Sequence, residues 1–363
     1  MKTIPPKPNE FEISVFGPGI GESIVVHLGN SKWAIIDSCQ NRATRQPIAL
    51  EYLNSLNVNV CEDVSHVIVT HWHDDHIRGI SEIVQAARNS KIVFSAALKS
   101  REFSSLLAVH KETMLIETTS GVAEMHDALE NNLHNSGAYG PHSWASEGMV
   151  LHQSASPEPT KIIAVSPSAN TITQAAVRIG HLIPNENDPF GRVKDLSPNS
   201  LSIALQVQFG TLTCLLGGDL EKSPSGLSGW NAVVKSSVIS DSKAGFYKVA
   251  HHGSEGADQN EIWSQLLDDQ PAAVVTPYAR GSKKLPSSED IERLQSKTAA
   301  LYCTAPPNLM RPARRRSVEK TIREVVKSRR AIPNRPGHVR MRYTESDGNL
   351  KFETFDRAVH LTG

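Results

Sequence analysis

The ten-residue stretch HWHDDHIRGI, which begins at His71, concentrates side chains that bind metal ions. His71 and His73 are two residues apart, so in an extended segment both imidazoles point to the same side. Asp75 and His76 follow at the expected start of a helix, where they can face a second point a few ångströms away. This layout is typical of two cations about 3.5 to 4 Å apart that share an activated water.

The donor atoms in this stretch narrow the choice of metal. Imidazole nitrogen and carboxylate oxygen without thiolate favour two Zn²⁺ ions, with Mn²⁺ or Fe as alternatives. The competing interpretation is a solvated loop that happens to be rich in histidine. Three histidines in six positions, directly after the apolar run VIVT, disfavour it. Asp74 has no ligand role in this interpretation and is expected to cap a helix.

The elements around this stretch alternate between strands and helices. A predicted β-meander opens the chain, with the strand patterns EISVF, SIVVHL and KWAIID. A helix over PIALEYLNSL and the buried strand HVIVT then lead into the histidines. The helix ISEIVQAAR and the strand KIVFSA follow them. Residues 102 to about 160 break this rhythm and are predicted to form a helical insertion or lid.

The second half of the chain repeats the plan of the first half. Strands are predicted over KIIAVS, AAVRIG, SLSIALQVQF, TLTCLLGG, AAVVTPY and ALYCTA, and helices over EIWSQLL and SEDIERLQSK. Between them, FYKVAHHGS is a strand whose carboxyl end carries two more histidines. The last two patterns, HVRMRY and LKFETF, predict a hairpin.

The segment 301–343 is strongly basic, with twelve Lys or Arg residues and two acidic ones. A helix is expected from about Ser317, with its apolar residues on one face and its basic residues on the other. One interpretation is an ordinary solvated face. The other is a surface that tracks phosphates, whose binding would weaken steeply with salt.

Over the whole chain, Lys and Arg balance Asp and Glu at 38 each, so no global field indicates nucleic acid or a membrane surface. The four cysteines are far apart and form no CxxC pair, which is typical of reduced thiols. The N-terminus lacks the apolar core of a secretory signal, and no apolar window is long enough to span a membrane. We therefore expect a cytoplasmic protein without a membrane partner.

The HxHxDH motif of His71, His73, Asp75 and His76 resembles the signature of the metallo-β-lactamase fold superfamily. The resemblance extends over residues 11 to about 305, through FEISVFGPGIGESIVVHLGNSKWAIIDSC, TLTCLLGGDLE and FYKVAHHGS. Among these, HHGS, SPNSLSIAL and GGDLE look most like the metallo-hydrolase domain of ComEC-like competence proteins.

This resemblance implies a fold as well as an activity. The expected fold is α/β, a four-layer αβ/βα sandwich. Its hydrolase domain would span residues 1–305, with the insertion at about 102–160. Residues 306–363 would add the basic helix and the C-terminal hairpin, packed on the same domain.

The same resemblance implies a ligand set. His71 and His73 would bind the first metal, Asp75 and His76 the second, and Asp219 would bridge them. A turn-capping aspartate is the alternative for Asp219.

Other residues near these motifs receive more specific roles. Neighbours on an extended chain point in opposite directions, so only one of His251 and His252 can be a ligand. We predict His251 as the ligand of the second metal and assign His252, with Asp75, to catalysis. Asp37 is expected to orient the histidines from outside the ligand shell, as such carboxylates commonly do. A buried turn aspartate is the alternative for Asp37.

One departure from the superfamily pattern weakens the expected first metal site. Most members carry a further histidine between the first motif and the bridging aspartate. Here the nearest candidates, His142, His152 and His181, have no clear match, and none of them is assigned as a ligand. The first metal is therefore expected to be held weakly or lost.

The implied reaction is hydrolysis by a metal-bridging hydroxide. A phosphodiesterase or nuclease is preferred, on the ComEC-like motifs and the basic segment, with nucleic acid or another phosphodiester as substrate. A carbonyl hydrolase acting on a lactone, thioester or amide is one alternative. A protein that binds nucleic acid or a partner, with a weakened metal site, is another. Ser254, Lys283 and Lys284 are candidates for substrate phosphate contacts, and each is equally suited to holding a loop.

Overall fold

A computed structural model of the chain shows two large β-sheets with helices on their outer faces. It describes residues 4–17, 19–99, 124–129, 142–156, 158–182, 198–239, 242–280, 283–306, 316–325 and 336–361. The predicted α/β sandwich is confirmed.

The first sheet holds eight strands, in the order β17-β16-β1-β2-β3-β4-β5-β6. The strands are β1 (Phe11–Gly17), β2 (Ser23–His27), β3 (Trp33–Ile36), β4 (Val64–Ile68), β5 (Lys91–Ser95), β6 (Ser143–Ala145), β16 (Gly337–Tyr343) and β17 (Lys351–Phe355). The antiparallel strands β1, β2 and β3 form the predicted meander. From β3 to β6 the pairing is parallel, so the carboxyl ends of these strands share one edge.

The second sheet also holds eight strands, in the order β18-β15-β12-β11-β10-β9-β8-β7. The strands are β7 (Val150–Ser154), β8 (Thr160–Ala164), β9 (Leu205–Phe209), β10 (Leu212–Leu216), β11 (Ala244–Lys248), β12 (Leu267–Val275), β15 (Ala300–Cys303) and β18 (Val359–His360). Strands β10, β11, β12 and β15 are parallel. A separate small hairpin pairs β13 (Tyr278–Arg280) with β14 (Lys283–Leu285).

Eight α-helices, the α-helical residues 124–129 and several shorter helical turns accompany the sheets in the described stretches. The α-helices are α1 (Ile48–Ser55), α2 (Val60–Asp63), α3 (Asp74–Ile77), α4 (Ile80–Ala86), α5 (Ala169–Leu182), α6 (Gly229–Val234), α7 (Ser288–Gln295) and α8 (Arg316–Val325). Residues 124–129 are also helical, and a π-helix spans Ile262–Leu266. None of the described helices has the length and apolar character needed to cross a bilayer.

Three apolar clusters hold the layers together. The central cluster lies between the two sheets, where the rings of Phe11 and Phe209 stack with centroids 5.1 Å apart. A second cluster packs α1 and α4 against the outer face of the first sheet. The third packs α6 and α7 against the second sheet. Because helices cover both outer faces, central strands are buried on both sides, as the unbroken burial of Phe11–Gly17 shows.

The structure differs from the sequence prediction at AAVRIG, which belongs to helix α5 instead of a strand. Ala175 and Ile179 are buried, whereas Val177 between them is 58% exposed. Burial therefore recurs every four residues, which is the spacing of a helix face. The predicted strand rested on alternation in a window too short to distinguish the two periods.

The predicted insertion, residues 102 to about 160, overlaps with strands of both large sheets. Strands β6 and β7 lie inside this range, and each pairs within one of the large sheets. The framework therefore resumes at Ser143, and only residues 124–129 of the preceding part are described. The C-terminal hairpin joins the framework as well, because β16 pairs with β1. In the basic helix α8, Val318 and Val325 are 45% and 73% exposed.

Candidate metal centre

The candidate ligands lie where the parallel strands of both sheets end. Asp37 follows β3, and His71 lies three residues beyond β4. In the second sheet, Asp219 follows β10 by three residues, and His252 follows β11 by four. Because parallel strands place their carboxyl ends at a common edge, side chains distant in sequence meet there.

One group of potential metal ligands consists of Asp75, His76, Asp219 and His252. His76 Nε2 lies 3.2 Å from Asp219 Oδ1 and 3.7 Å from Asp75 Oδ2. His252 Nε2 lies 3.0 Å from Asp75 Oδ2 and 3.6 Å from Asp219 Oδ2. Two imidazole nitrogens and two carboxylates therefore converge on one point.

A second group consists of His71, His73 and Asp219. His71 Nε2 lies 3.8 Å from Asp219 Oδ2 and 3.2 Å from His73 Nδ1. Asp219 thus belongs to both groups. A carboxylate shared in this way suits two neighbouring cations.

Two buried polar atoms at the centre of the first group test whether cations fit. His76 Nε2 and Asp219 Oδ1 have no hydrogen-bond partner in the described part of the chain, although they face each other. Buried polar atoms without a hydrogen-bond partner lower the stability of the folded state. A cation coordinated by both would satisfy them, and the nitrogen and oxygen donors suit Zn²⁺. The residues present therefore fit a divalent metal.

Asp37 holds the imidazoles from behind. Its Oδ2 accepts hydrogen bonds from His76 Nδ1 at 2.8 Å and from Thr70 Oγ1 at 2.7 Å, and its Oδ1 accepts one from Thr70 N. Thr70 Oγ1 also lies 3.0 Å from His71 Nδ1. These contacts direct the Nε2 atoms of both rings toward Asp219. Asp37 thus occupies an orienting position beside the ligand groups, and a third set of close donor atoms combines it with His71 and His76.

Glu22 is a further buried carboxylate that the sequence analysis did not single out. Its Oε1 lies 3.9 Å from His76 Nδ1, and its Oε2 lies 4.0 Å from His252 Nδ1. The buried ammonium of Lys248 lies 2.7 Å from Glu22 Oε2, and Thr276 Oγ1 donates to the same oxygen. The available signals were an acidic residue between a glycine-rich turn and an apolar strand, and a lysine inside FYKVA.

The carboxylates control the charge of the histidines. Burial favours the neutral form of His76, but Asp219, Glu22 and Asp75 outweigh it and raise the pKa of His76 well above its usual value. At His71, burial dominates and lowers the pKa well below its usual value. A neutral imidazole is the form that binds a metal. The His71 side of the centre is therefore already in its ligand form.

At the histidine pair the structure places the two rings differently from the prediction. His252, predicted only for catalysis, lies in the ligand group, whereas the predicted ligand His251 lies outside it. His251 Nδ1 pairs with Glu221 Oε1 at 3.0 Å, and its Nε2 accepts from Asn199 Nδ2. The φ angles are +44° at His251 and +55° at His252, so the chain turns sharply and is not extended. The backbone at this pair is therefore not the extended chain that the prediction assumed, and the ring closer to the other candidate ligands is that of His252.

The candidate phosphate contacts lie outside both ligand groups. Ser254 Oγ accepts from the backbone N of Gly256 and caps the 3₁₀ turn Glu255–Ala257. In this position Ser254 holds its own loop, which is the alternative to a phosphate contact. Lys284 is exposed on the β13–β14 hairpin, while the side chain of Lys283 lies outside the described residues.

The candidates for a further histidine ligand lie apart from the centre or are not described. The His142 ring packs on Trp144, with centroids 4.7 Å apart, and His152 packs edge-on against His66. The side chain of His181 lies outside the described residues. None of the three occurs in the ligand groups found among the described side chains.

A cleft of about 230 Å³ opens beside the centre. Asp75 forms part of its lining, together with Arg42, Arg45, Arg78 and Tyr278. The ring of Tyr278 lies against His252, with centroids 5.4 Å apart. A molecule in this cleft would therefore approach the centre from the Asp75 side.

Comparison with known families adds to this geometry. The family model described as the metallo-beta-lactamase superfamily matches residues 16–151. This part of the chain is therefore similar to members of the metallo-beta-lactamase superfamily. The matched residues include the complete HxHxDH motif and Asp37. The search of curated proteins gave no match.

Several solved metallo-beta-lactamase structures are similar at low sequence identity. A motif mutant of the Cronobacter sakazakii enzyme is 11% identical, with a TM-score of 0.31, over 60% of this chain and 64% of that one. The present chain thus covers just under two thirds of that protein. MEM-A1, a subclass B3 enzyme from a soil metagenome library, is 13% identical, with a TM-score of 0.36, over 72% and 89%. The dizinc quorum-quenching lactonase AidC is 11% identical, with a TM-score of 0.30, over 55% of each chain.

Proposed function

We propose that this protein is a metal-dependent hydrolase that acts on phosphodiesters. The observation that carries the proposal is Asp219, which is shared by two groups of converging imidazole and carboxylate atoms. Buried donors of this kind, open to a cleft through Asp75, are suited to hold two divalent cations beside a substrate.

The candidate ligands can be assigned to the two cations of such a site. His71 and His73 would hold one cation, Asp75, His76 and His252 the other, and Asp219 both. Bound there, Zn²⁺ would supply the Lewis acidity that acidifies water and offsets negative charge on the substrate.

Asp75 also lines the cleft, next to which the reaction would occur. Burial works against the charged form of Asp75, but His76 and His252 outweigh it and lower the pKa of Asp75. The group is therefore a carboxylate at neutral pH, positioned to accept a proton from attacking water. Asp37 keeps the His76 ring oriented through its Nδ1, and the backbone oxygen of Thr276 does the same for His252.

The preference for phosphorus over carbonyl carbon rests on three stretches that resemble ComEC-like hydrolases: SPNSLSIAL, GGDLE and HHGS. In the structure, all three contribute to the centre. Ser202 Oγ accepts from the backbone N of Asp219, GGDLE supplies Asp219 itself, and HHGS supplies His252.

The first test combines metal analysis with a substrate panel. Purified protein should contain up to two divalent ions per chain and hydrolyse bis(p-nitrophenyl) phosphate and single-stranded oligonucleotides. Asp219→Asn should lower the metal content and reduce turnover by more than about 100-fold. Replacing a residue that only orients a metal ligand already lowers metal affinity or activity by about 10- to 100-fold. Asp269→Asn is the matched control, since this exposed aspartate lies in β12, away from the centre.

The same panel includes nitrocefin, an acyl-homoserine lactone and a thioester. Turnover of one of these carbonyl substrates, with the phosphodiesters intact, would replace the proposed substrate class. Full metal content and turnover in Asp219→Asn would refute the site itself.

A further inference from the structure

The cleft beside Asp75 carries three arginines within one small space: Arg42, Arg45 and Arg78. Arg78 is partly neutralised by Asp74, whose carboxylate lies 3.5 Å away. Arg42 and Arg45 are exposed, and neither forms an ion pair with another described residue. The rim of the cleft therefore holds two positive charges that have no ion-pair partner among the described residues.

A fourth arginine adds to this concentration of charge. Arg357 lies close enough to Arg42 for their charges to repel, and burial together with this repulsion lowers the pKa of Arg357. Its buried Nη2 has no hydrogen-bond partner among the described residues. Placing guanidinium groups near one another costs free energy unless an anion lies between them. The arrangement therefore favours an anionic ligand.

The guanidinium group also restricts the kind of anion. Its planar set of donors matches the oxygens of a phosphate and binds two of them at once. The cleft volume of about 230 Å³ equals several times the roughly 30 Å³ that a water occupies in the liquid. A phosphate group with part of its attached sugar would fit.

The position of the cleft indicates whether such a phosphate would be the reacting one or a neighbour of it. Asp75, which lines the cleft, lies 3.0 Å from His252 in the ligand group. A phosphate held by the arginines would thus lie next to the reacting group, not on it.

We infer that Arg42 and Arg45 bind a non-reacting phosphate adjacent to the scissile one. This inference rests on the proposed phosphodiesterase function and narrows its substrate class. The preferred substrate is then a nucleotide chain with at least two successive phosphates. Arg78 and Tyr278 also line this cleft.

The test compares dithymidine substrates that differ by one terminal phosphate. The wild type should hydrolyse 5′- or 3′-phosphorylated dithymidine with a higher kcat/KM than unphosphorylated dithymidine. In the double variant R42Q/R45Q this preference should fall by about tenfold or more, as expected for losing charge-assisted hydrogen bonds. Arg88→Gln is the matched control, because Arg88 is exposed in the α4–β5 connection, at the opposite edge of the sheet. It should retain the wild-type preference.

An unchanged preference in R42Q/R45Q would overturn the inference. If no phosphodiester is hydrolysed, the proposed function fails, and calorimetric titration with inorganic pyrophosphate tests the cleft separately. Weaker pyrophosphate binding by R42Q/R45Q than by Arg88→Gln would support a phosphate site. Equal binding by the two, or wild-type binding of succinate as tight as that of pyrophosphate, would overturn it. Thermal unfolding of each variant shows whether the fold is retained.

Discussion

Replacing Lys248 by methionine tests how the buried centre is supported. Both charged groups of the Lys248–Glu22 pair are buried, and their closest atoms are 2.7 Å apart. Lys248 Nζ also donates to the backbone oxygen of Val249. Methionine keeps most of the side-chain volume but removes the charge and both interactions. Glu22 would then remain buried with the hydroxyl of Thr276 as its hydrogen-bond donor.

The expected loss of stability follows from leaving a buried charge without its ion-pair partner. Removing one partner of a buried ion pair lowers the free energy of unfolding by about 3 to 5 kcal/mol. His76 and His252 lie near the Glu22 carboxylate, at 3.9 and 4.0 Å, and offset part of that cost. We therefore expect a loss of about 3 kcal/mol. The double variant Glu22→Gln/Lys248→Met removes both charges and should lose less than the single variant.

Urea unfolding in the presence of a chelator measures these losses without a contribution from bound metal. Lys351→Met is the matched control, because it breaks an ion pair with Asp347 at an exposed position. Such exposed pairs contribute little. If Lys248→Met loses no more stability than Lys351→Met, or if the double variant is less stable than Lys248→Met, the reasoning is refuted.

Three further predictions concern other parts of the molecule. His252→Ala should lower the bound metal per chain, whereas His251→Ala should not, because only the first ring lies in a ligand group; equal losses on elemental analysis would contradict this. Gly218→Ala should lower the free energy of unfolding in urea by about 2 to 4 kcal/mol, because φ is +51° and the new methyl would lie 2.6 Å from a serine hydroxyl. Gly348→Ala, at φ +70° with no atom within 4 Å, should lose only the stability that the strained backbone costs. Equal losses of stability in the two glycine variants would exclude the clash. Burial lowers the pKa of His66 from 6.5 to about 4, so its folded state favours the neutral ring. This contribution is fully present above pH 6.5 and is lost as the pH falls toward 4, by about 2 kcal/mol at pH 5. His66→Gln should therefore lose less stability than the wild type between pH 7 and pH 5 in urea unfolding, and identical losses would exclude this role.

Much of the fold could be predicted because buried strands and helices have characteristic patterns of apolar residues in the local sequence. The meander strands β1, β2 and β3 are apolar runs between turn residues, and α1 and α4 repeat their apolar residues at helical spacing. AAVRIG failed because six residues can alternate by chance, and only its packing shows the helix. The end of the insertion could not be placed, because the short strand Ser143–Ala145 is recognisable only through its pairing with β5.

The candidate site was predictable where its residues are close in sequence. His71, His73, Asp75 and His76 occupy one short stretch, so their types and spacing already indicate a metal. The choice between His251 and His252 depended on positive φ angles, which the letters HHG do not reveal. Glu22 and Lys248 are far apart in sequence, and each alone is only a polar residue in an apolar segment. Their role appears when the two sheets bring them together.

The balance of buried charge at the centre suits the binding of cations. Four buried or nearly buried carboxylates meet there, from Glu22, Asp37, Asp75 and Asp219. One buried lysine, Lys248, faces them among the described residues. Unpaired charge is expensive inside a protein, so the fold supplies protonated imidazole, backbone donors and hydroxyls to the carboxylates. Divalent cations bound between the ligands would offset the remaining charge, and their binding free energy would add to the stability of the sandwich. Arg42, Arg45 and Arg78 line the cleft outside the ligand groups, so they would bind the proposed phosphate without neutralising the carboxylates of the centre.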